Sequence, residues 1–209
     1  MRRPGLKRDA VVRAAVRIAE IEGIENISMR RVAQDLGVTP MALYRYLPDK
    51  EALIDVVVDE SFRGVPVPDA SGVMRDELLR CFTAIYEVLR EHPGLARMAG
   101  GRRLEGPVAT RLVEALSELL QCNGINEDVV ANLLVSAFSL ILGFALYRAS
   151  RSDRSESPPP PLGAGEPTAR RVWGQLTAAV TDDIALRDSL ARLVASYVST
   201  TATERVGLK

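Results

Sequence analysis

Wound as a helix, the stretch "TPMALYRYLPDK" puts Pro40, Met41, Tyr44 and Arg45 on one side and Leu43 and Leu47 on the other, with Thr39 at its start. A solvated helix face is ordinarily built from Glu, Lys and Gln. A guanidinium, a phenol, a thioether and a proline ring make instead a surface for groove and backbone contact. Arginine presents a fork of donors to guanine or to phosphate, and the Thr39, Tyr44 and Tyr46 hydroxyls can reach phosphate oxygens. Lys50 stands at the start of the next helix, where its ammonium and the first backbone N–H groups can hold one phosphate together. This is the chemistry of recognition rather than of bond making.

Residues for covalent chemistry are sparse. The chain of 209 residues has one histidine, His92, just before Pro93-Gly94, which excludes a His-based triad and a multi-His metal site. Cys81 and Cys122 lack CxxC spacing and sit in apolar helical patterns, as buried free thiols of a reducing cytoplasm would. With no glycine-rich phosphate loop either, no enzyme, cofactor or metal is expected. The opening "MRRPGLKRDAVV" is basic but has no apolar run, so no signal peptide is expected and the location expected is the cytoplasm. Net charge is zero, yet residues 1–50 carry ten Lys and Arg against six Asp and Glu. A basic front on an acidic body points to a polyanion at the N-terminal end.

The elements that must position these residues are helices, and strand signals are absent. Ala10, Val11, Ala14, Ala15, Ile18 and Ile21 recur at helical spacing from Leu6 to about Glu22, where Gly23 ends the pattern. "RGVPVPDASG" (63–72) is a Pro/Gly linker, dividing a front domain at 1–62 from a body at 72–209. Met74, Leu78, Phe82, Ile85 and Leu89 mark one amphipathic helix of the body, and Leu112, Val113, Leu116, Leu119 and Leu120 another. Arg102 and Arg103, after Gly100-Gly101, read as a solvated loop or as partners for an acidic ligand.

Val129–Tyr147 has no charge across 19 residues. Its weakly polar row of Asn132, Ser136, Ser139 and Gly143, with Glu127 and Asp128 before it and Arg148 after it, argues for a buried helix rather than a membrane span. A helix apolar all round in so small a chain is expected to be covered by a second subunit. The last helix is expected over about 183–199, and the proline-rich segment at about 150–168 is expected to be a mobile loop.

Within residues 28–47, Ser28 is a good N-cap, Val32, Ala33 and Leu36 form a buried stripe, Gly37 supplies a left-handed turn, and Thr39 and Pro40 open a second helix. Helix, glycine turn, helix is the arrangement that lays its second helix in the DNA major groove. Arg30 and Arg31, with Arg2, Arg3, Lys7 and Arg8 at the N-terminus, add attraction that is blind to sequence.

"ISMRRVAQDLGVTPMALYRYLPDKEALIDVVVDE" resembles the DNA-binding domain of the TetR family of bacterial transcriptional regulators. The likeness spans about residues 6–60, and the remainder is similar in architecture and size to the tetracycline-repressor type of C-terminal domain. The resemblance implies an all-α protein with a three-helix helix-turn-helix domain and a helical ligand-binding and dimerisation domain. It implies that Ser28, Arg30, Thr39, Tyr44, Tyr46 and Lys50 lie at phosphates and that Pro40, Met41 and Arg45 read bases. It further implies a homodimer through helices of about 127–149 and 183–199, bound to a pseudo-palindromic double-stranded operator and released by a small-molecule effector. Tetracycline repressors hold a magnesium–drug chelate with histidine and acidic ligands. No such set can be placed around His92, so an apolar organic effector is expected, with Phe82, Tyr86, Met98, Leu116, Phe138, Phe144, Tyr147 and Trp173 as candidate lining residues. The alternative is a DNA-binding activator or architectural protein without a ligand.

Overall fold

The computed structural model describes residues 6–152 and 182–206, together with Val172, Gln175 and Ala179. The described residues are helical, with turns and no strand. They fall into two compact units, one of residues up to Gly64 joined by Arg97–Arg111, the other of Val65–Ala96 and the residues from Leu112 onward.

The first unit contains α1 (Arg8–Glu22), a 3-10 turn (Ile24–Asn26), α2 (Met29–Leu36), α3 (Pro40–Leu43) and α4 (Lys50–Ser61). α1 packs on α2 and α4, and α2 on α3. The core is Val11, Ala14, Ala15, Ile18, Val32, Leu43, Leu47, Leu53, Val57 and Val58, all buried. Each large apolar side chain taken out of water here contributes about 1.5–3 kcal/mol. Ser28 caps α2 by accepting the Arg31 N–H at 3.1 Å. Gly37 follows α2 with φ 63° and ψ 36°, a left-handed conformation that glycine adopts without penalty, and the chain thereby turns into α3.

The second unit contains α5 (Met74–Glu91), α8 (Glu127–Ser152) and α9 (Asp183–Val206). α6 (Pro93–Ala99) leaves it for the first unit after Ala96, and α7 (Pro107–Cys122) returns at Leu112. α5 packs against α8 and α9, and α8 against α9. The buried rows run at intervals of four: Leu78, Phe82 and Tyr86 on α5, Leu133, Ala137, Ile141 and Ala145 on α8, and Leu186, Leu190 and Val194 on α9.

Residues 97–111, which the linear reading counts with the body, pack in the first compact unit. Two expectations about helix length are revised. α8 and α9 are longer than the apolar patterns that announced them, since α8 runs to Ser152 and α9 to Val206. The second helix of the helix-turn-helix is shorter, ending at Leu43; Tyr44, Arg45 and Tyr46 lie in the turn that follows it. Beyond Ser152, the 150–168 segment lies outside the described residues.

Candidate nucleic-acid interface

Thr39 precedes α3 with extended backbone and makes no side-chain capping bond, so Pro40 alone shapes the helix start. The Ala42 N–H reaches the Thr39 carbonyl at 3.0 Å, and the Tyr46 and Leu47 N–H groups reach the Leu43 carbonyl at 2.8 and 3.1 Å. The turn therefore keeps winding after Leu43 and holds the phase that the sequence pattern gives. Leu43 and Leu47 are 0% and 2% exposed, while Met41 is 76% and Tyr44 48% exposed. Thr39, Pro40 and Arg45 are exposed beside them. A thioether left in water at 76% exposure gains nothing from the fold that carries it.

Lys50 is exposed at the first position of α4, whose N-cap is Asp49; the Asp49 carboxylate accepts the Ala52 N–H at 2.7 Å. Arg30 is exposed on α2. Arg31 is committed elsewhere, because its guanidinium pairs with the Glu22 carboxylate at the end of α1. That hydrogen bond holds the Glu22 carboxyl below its ordinary range, against the opposing effect of desolvation. The Ser28 hydroxyl oxygen accepts the Arg31 N–H as the α2 cap and keeps its own O–H to donate. Tyr46, expected at a phosphate, is half-buried, and its hydroxyl donates to the carbonyl of Leu6.

Sequence reasoning missed a row of acids on α4. Glu51, Asp55 and Asp59 are spaced by four, and all three engage residues 97–111. Arg102, read from the sequence as loop or ligand partner, instead pairs with Glu51 and Asp55 and is only 15% exposed. Asp59 is 5% exposed, and its carboxylate accepts the Val108 N–H at 3.0 Å and the Ala109 N–H at 2.9 Å at the start of α7. Those amides have no partner within the helix, so a carboxylate supplied from α4 caps α7.

The effector candidates are scattered. Phe82, Tyr86 and Leu116 are buried in the second unit. Phe138 and Phe144 are half-buried and flank the buried row of α8 on its two sides. Met98 is half-buried and belongs to the first unit, while Tyr147 is 41% exposed on the face of α8 opposite the buried row. Trp173 lies outside the described residues. Tyr86 is not purely apolar lining, because its hydroxyl donates to Asp183 at 3.0 Å. Arg90 and Arg148 reach the same carboxylate at 2.7 and 2.9 Å. Burial raises the Asp183 carboxyl, but the Tyr86 hydroxyl and the charges of Arg148 and Arg90 outweigh it and leave the group below its ordinary value.

Among the described residues, no three His, Cys, Asp or Glu side chains converge to hold a metal ion. α8 is long and apolar enough to cross a membrane by length and composition, with mean hydropathy 2.3 over a window that is only 28% buried. Its exposed face runs through Val135, Ser139, Gly143 and Tyr147.

A helix-turn-helix with an uncapped, chemically mixed outer face, followed by a helical body, defines the regulator class of all-α proteins. The model for the N-terminal domain of bacterial regulatory proteins of the tetR family matches residues 11–57, and the tetracyclin repressor-like C-terminal domain matches residues 66–207. The chain belongs to the tetR family. It is similar to the HTH-type transcriptional repressor DrrR1 of Streptomyces coeruleorubidus, 34% identical over 73% of this chain and 58% of that protein. The chain thus spans under two thirds of that relative's length. BioQ of Mycobacterium smegmatis is 26% identical, with TM-score 0.66 over 93% of this chain and 99% of that one. BioQ with its double-stranded DNA operator superposes with TM-score 0.58 at 26% identity, over 84% and 98% of the two chains. ActR of Streptomyces coelicolor, in complex with actinorhodin, shares the fold at 23% identity and TM-score 0.72, over 95% and 99%.

Proposed function

We propose that this chain is a ligand-responsive DNA-binding transcriptional repressor that works as a homodimer and is released from a pseudo-palindromic operator by a small apolar organic molecule. The observation that carries this reading is the outer face of α3 and its following turn. There Thr39, Pro40, Met41, Tyr44 and Arg45 stand exposed while Leu43 and Leu47 anchor the element from behind.

In this reading Pro40, Met41 and Arg45 meet base edges in the major groove, while Thr39, Tyr44, Arg30 and Lys50 meet phosphates. Ser28 holds α2 at the backbone through its cap. The similarity to DrrR1, named a repressor, and to BioQ, solved with its operator, supports DNA as the partner and repression as the outcome. The exposed row of Val135, Ser139, Gly143 and Tyr147 on α8 supports a second copy as cover, because small residues let two helices approach closely. In a two-fold dimer the recognition elements must stand one DNA turn apart, roughly 34 Å, and an effector that favours another spacing releases the DNA. The apolar side chains Phe82, Leu116, Phe138 and Phe144 of the second unit supply the chemistry for an apolar effector.

Selection of sites from a random duplex pool with the full chain tests the reading. An enriched inverted repeat is the expected result. Absence of any enriched sequence at moderate salt overturns it.

A further inference from the structure

α4 opens with Lys50, the residue assigned above to a phosphate; Glu51 stands beside it and Asp55 follows one turn later. Both carboxylates are exposed, with 70% and 51% of their side chains reaching solvent. A glutamate in the first turn favours the helix, because it meets the positive end of the helix dipole. Next to a polyanion the same charge is a liability. Asp55 lies about 7.5 Å along the axis from Lys50, within a Debye length at moderate salt. Asp59, the third acid of the row, raises no such difficulty, since it is buried and used on the α7 amides. One guanidinium answers the other two. Arg102 pairs with the Glu51 carboxylate through one terminal nitrogen and with the Asp55 carboxylate through the other, and it also donates to the Glu51 carbonyl at 3.3 Å. It is only 15% exposed, far less than either acid, so it faces them rather than the solvent.

We infer that Arg102 is a positioning residue that sets DNA affinity through Glu51 and Asp55, cancelling their charge beside the phosphate held at Lys50; the inference rests on the DNA-binding reading above. Ion pairs with acids this exposed contribute little to stability. Their larger effect is on the field that an approaching phosphate meets. Lys50, Glu51, Asp55 and Arg102 are together neutral. Without Arg102 the other three carry one negative charge, and a phosphate at Lys50 is repelled. The Asp49 carboxylate beside them is held on the Ala52 N–H at 2.7 Å and is the same in either case. Arg102 belongs to the same compact unit as α4 but comes from the segment between α6 and α7. The charge at the start of α4 is thus completed by a residue that the helix-turn-helix itself does not contain.

The test uses the full chain and the duplex enriched from the random pool, with affinity measured over a salt series. Arg102→Gln is expected to bind roughly three- to tenfold weaker at low salt, and the gap to close as salt rises and screening lengthens its reach over the two acids. Arg102→Lys keeps the charge without the fork and is expected to stay near the wild type. Arg102→Gln/Glu51→Gln/Asp55→Asn removes the acids together with their partner and is expected to regain wild-type affinity. Glu51→Gln/Asp55→Asn, which leaves Arg102 in place, is expected to bind more tightly than the wild type at low salt. A loss for Arg102→Gln that does not shrink with salt, or that the triple substitution does not reverse, would overturn the proposal and make Arg102 a brace for α4 or a phosphate ligand. So would unchanged affinity for Glu51→Gln/Asp55→Asn, which keeps the test decisive if Arg102→Gln disturbs folding. A wild-type protein that enriches no duplex at all is a different failure, that of the DNA-binding reading.

Discussion

Asp59 and Gly106 stand so close that a Cβ on Gly106 would lie 2.1 Å from the Asp59 carboxyl carbon. The missing side chain is what lets the buried carboxylate reach the Val108 and Ala109 amides and cap α7 from α4. Asp59→Ala leaves those amides without an acceptor and is expected to cost roughly 2–3 kcal/mol, or about 5–10 °C in melting temperature. Asp59→Asn keeps one acceptor and loses less. Gly106→Ala expels the carboxylate and approaches the Asp59→Ala value. Thermal unfolding followed by circular dichroism reads all three; a wild-type melting temperature for Asp59→Ala would remove the cap from the account.

Asp183 gives the second unit a sensitivity to acid whose sign follows from its neighbours. Tyr86, Arg148 and Arg90 hold its carboxyl below the ordinary value, despite burial. A carboxylate depressed in the folded state contributes stability above its unfolded value of about 3.9, and that contribution is lost as pH falls through the folded value. Melting temperatures recorded from pH 7 downward should therefore fall below about pH 4 less steeply for Asp183→Asn than for the wild type. Parallel curves would mean that the cluster is not coupled to folding.

The outer face of α3 separates reading from positioning. Met41→Ala and Arg45→Ala are expected to change which sequence is preferred, by about 1–3 kcal/mol at a contacted base pair. Tyr44→Phe and Lys50→Ala are expected to weaken binding to all sequences alike, and Lys50→Ala to lower the salt slope by about 0.9. Competition binding over a panel of single-base operator variants distinguishes the two patterns, and an unchanged preference for the Met41 variant would assign that residue to positioning.

The two thiols differ in reach. Cys81 is fully buried and burial pushes its pKa up to about 12, whereas Cys122 is exposed. A thiol reagent at neutral pH should label one cysteine per folded chain, at Cys122, and two after denaturation. Labelling of Cys81 in the folded protein would show that α5 opens.

Local chemistry was legible in the sequence and distant partners were not. The Ser28 cap and the Gly37 turn each involve neighbours within three or four residues, and residue type nearly dictates them. The buried phase of Leu43 and Leu47 followed from spacing. The contact of Tyr46 with Leu6 was not legible, because the two residues are 40 apart in the chain. Glu51, Asp55 and Asp59 were visible as acids at intervals of four, but such a row ordinarily faces water; only partners 47 to 51 residues away, Arg102 for the first two and the Val108 and Ala109 amides for Asp59, reveal the pairing. On α8 the sequence is apolar on all sides, so composition could not separate Ile141, which is buried, from Tyr147, which is exposed. The aromatic effector candidates suffered from this most, because residue type without phase does not choose a face.

The way α6 and α7 run from one unit into the other and back has a consequence for modularity. Recombination that exchanges front ends between related regulators would ordinarily cut once, at the linker after Gly64. Here such a graft would carry Glu51, Asp55 and Asp59 away from Arg102 and the α7 amides, leaving a caged carboxylate with nothing to cage it. A heritable exchange must move two pieces of the gene together, residues up to 64 and residues 97–111, so the front end of this chain is a poorer cassette than its linker advertises.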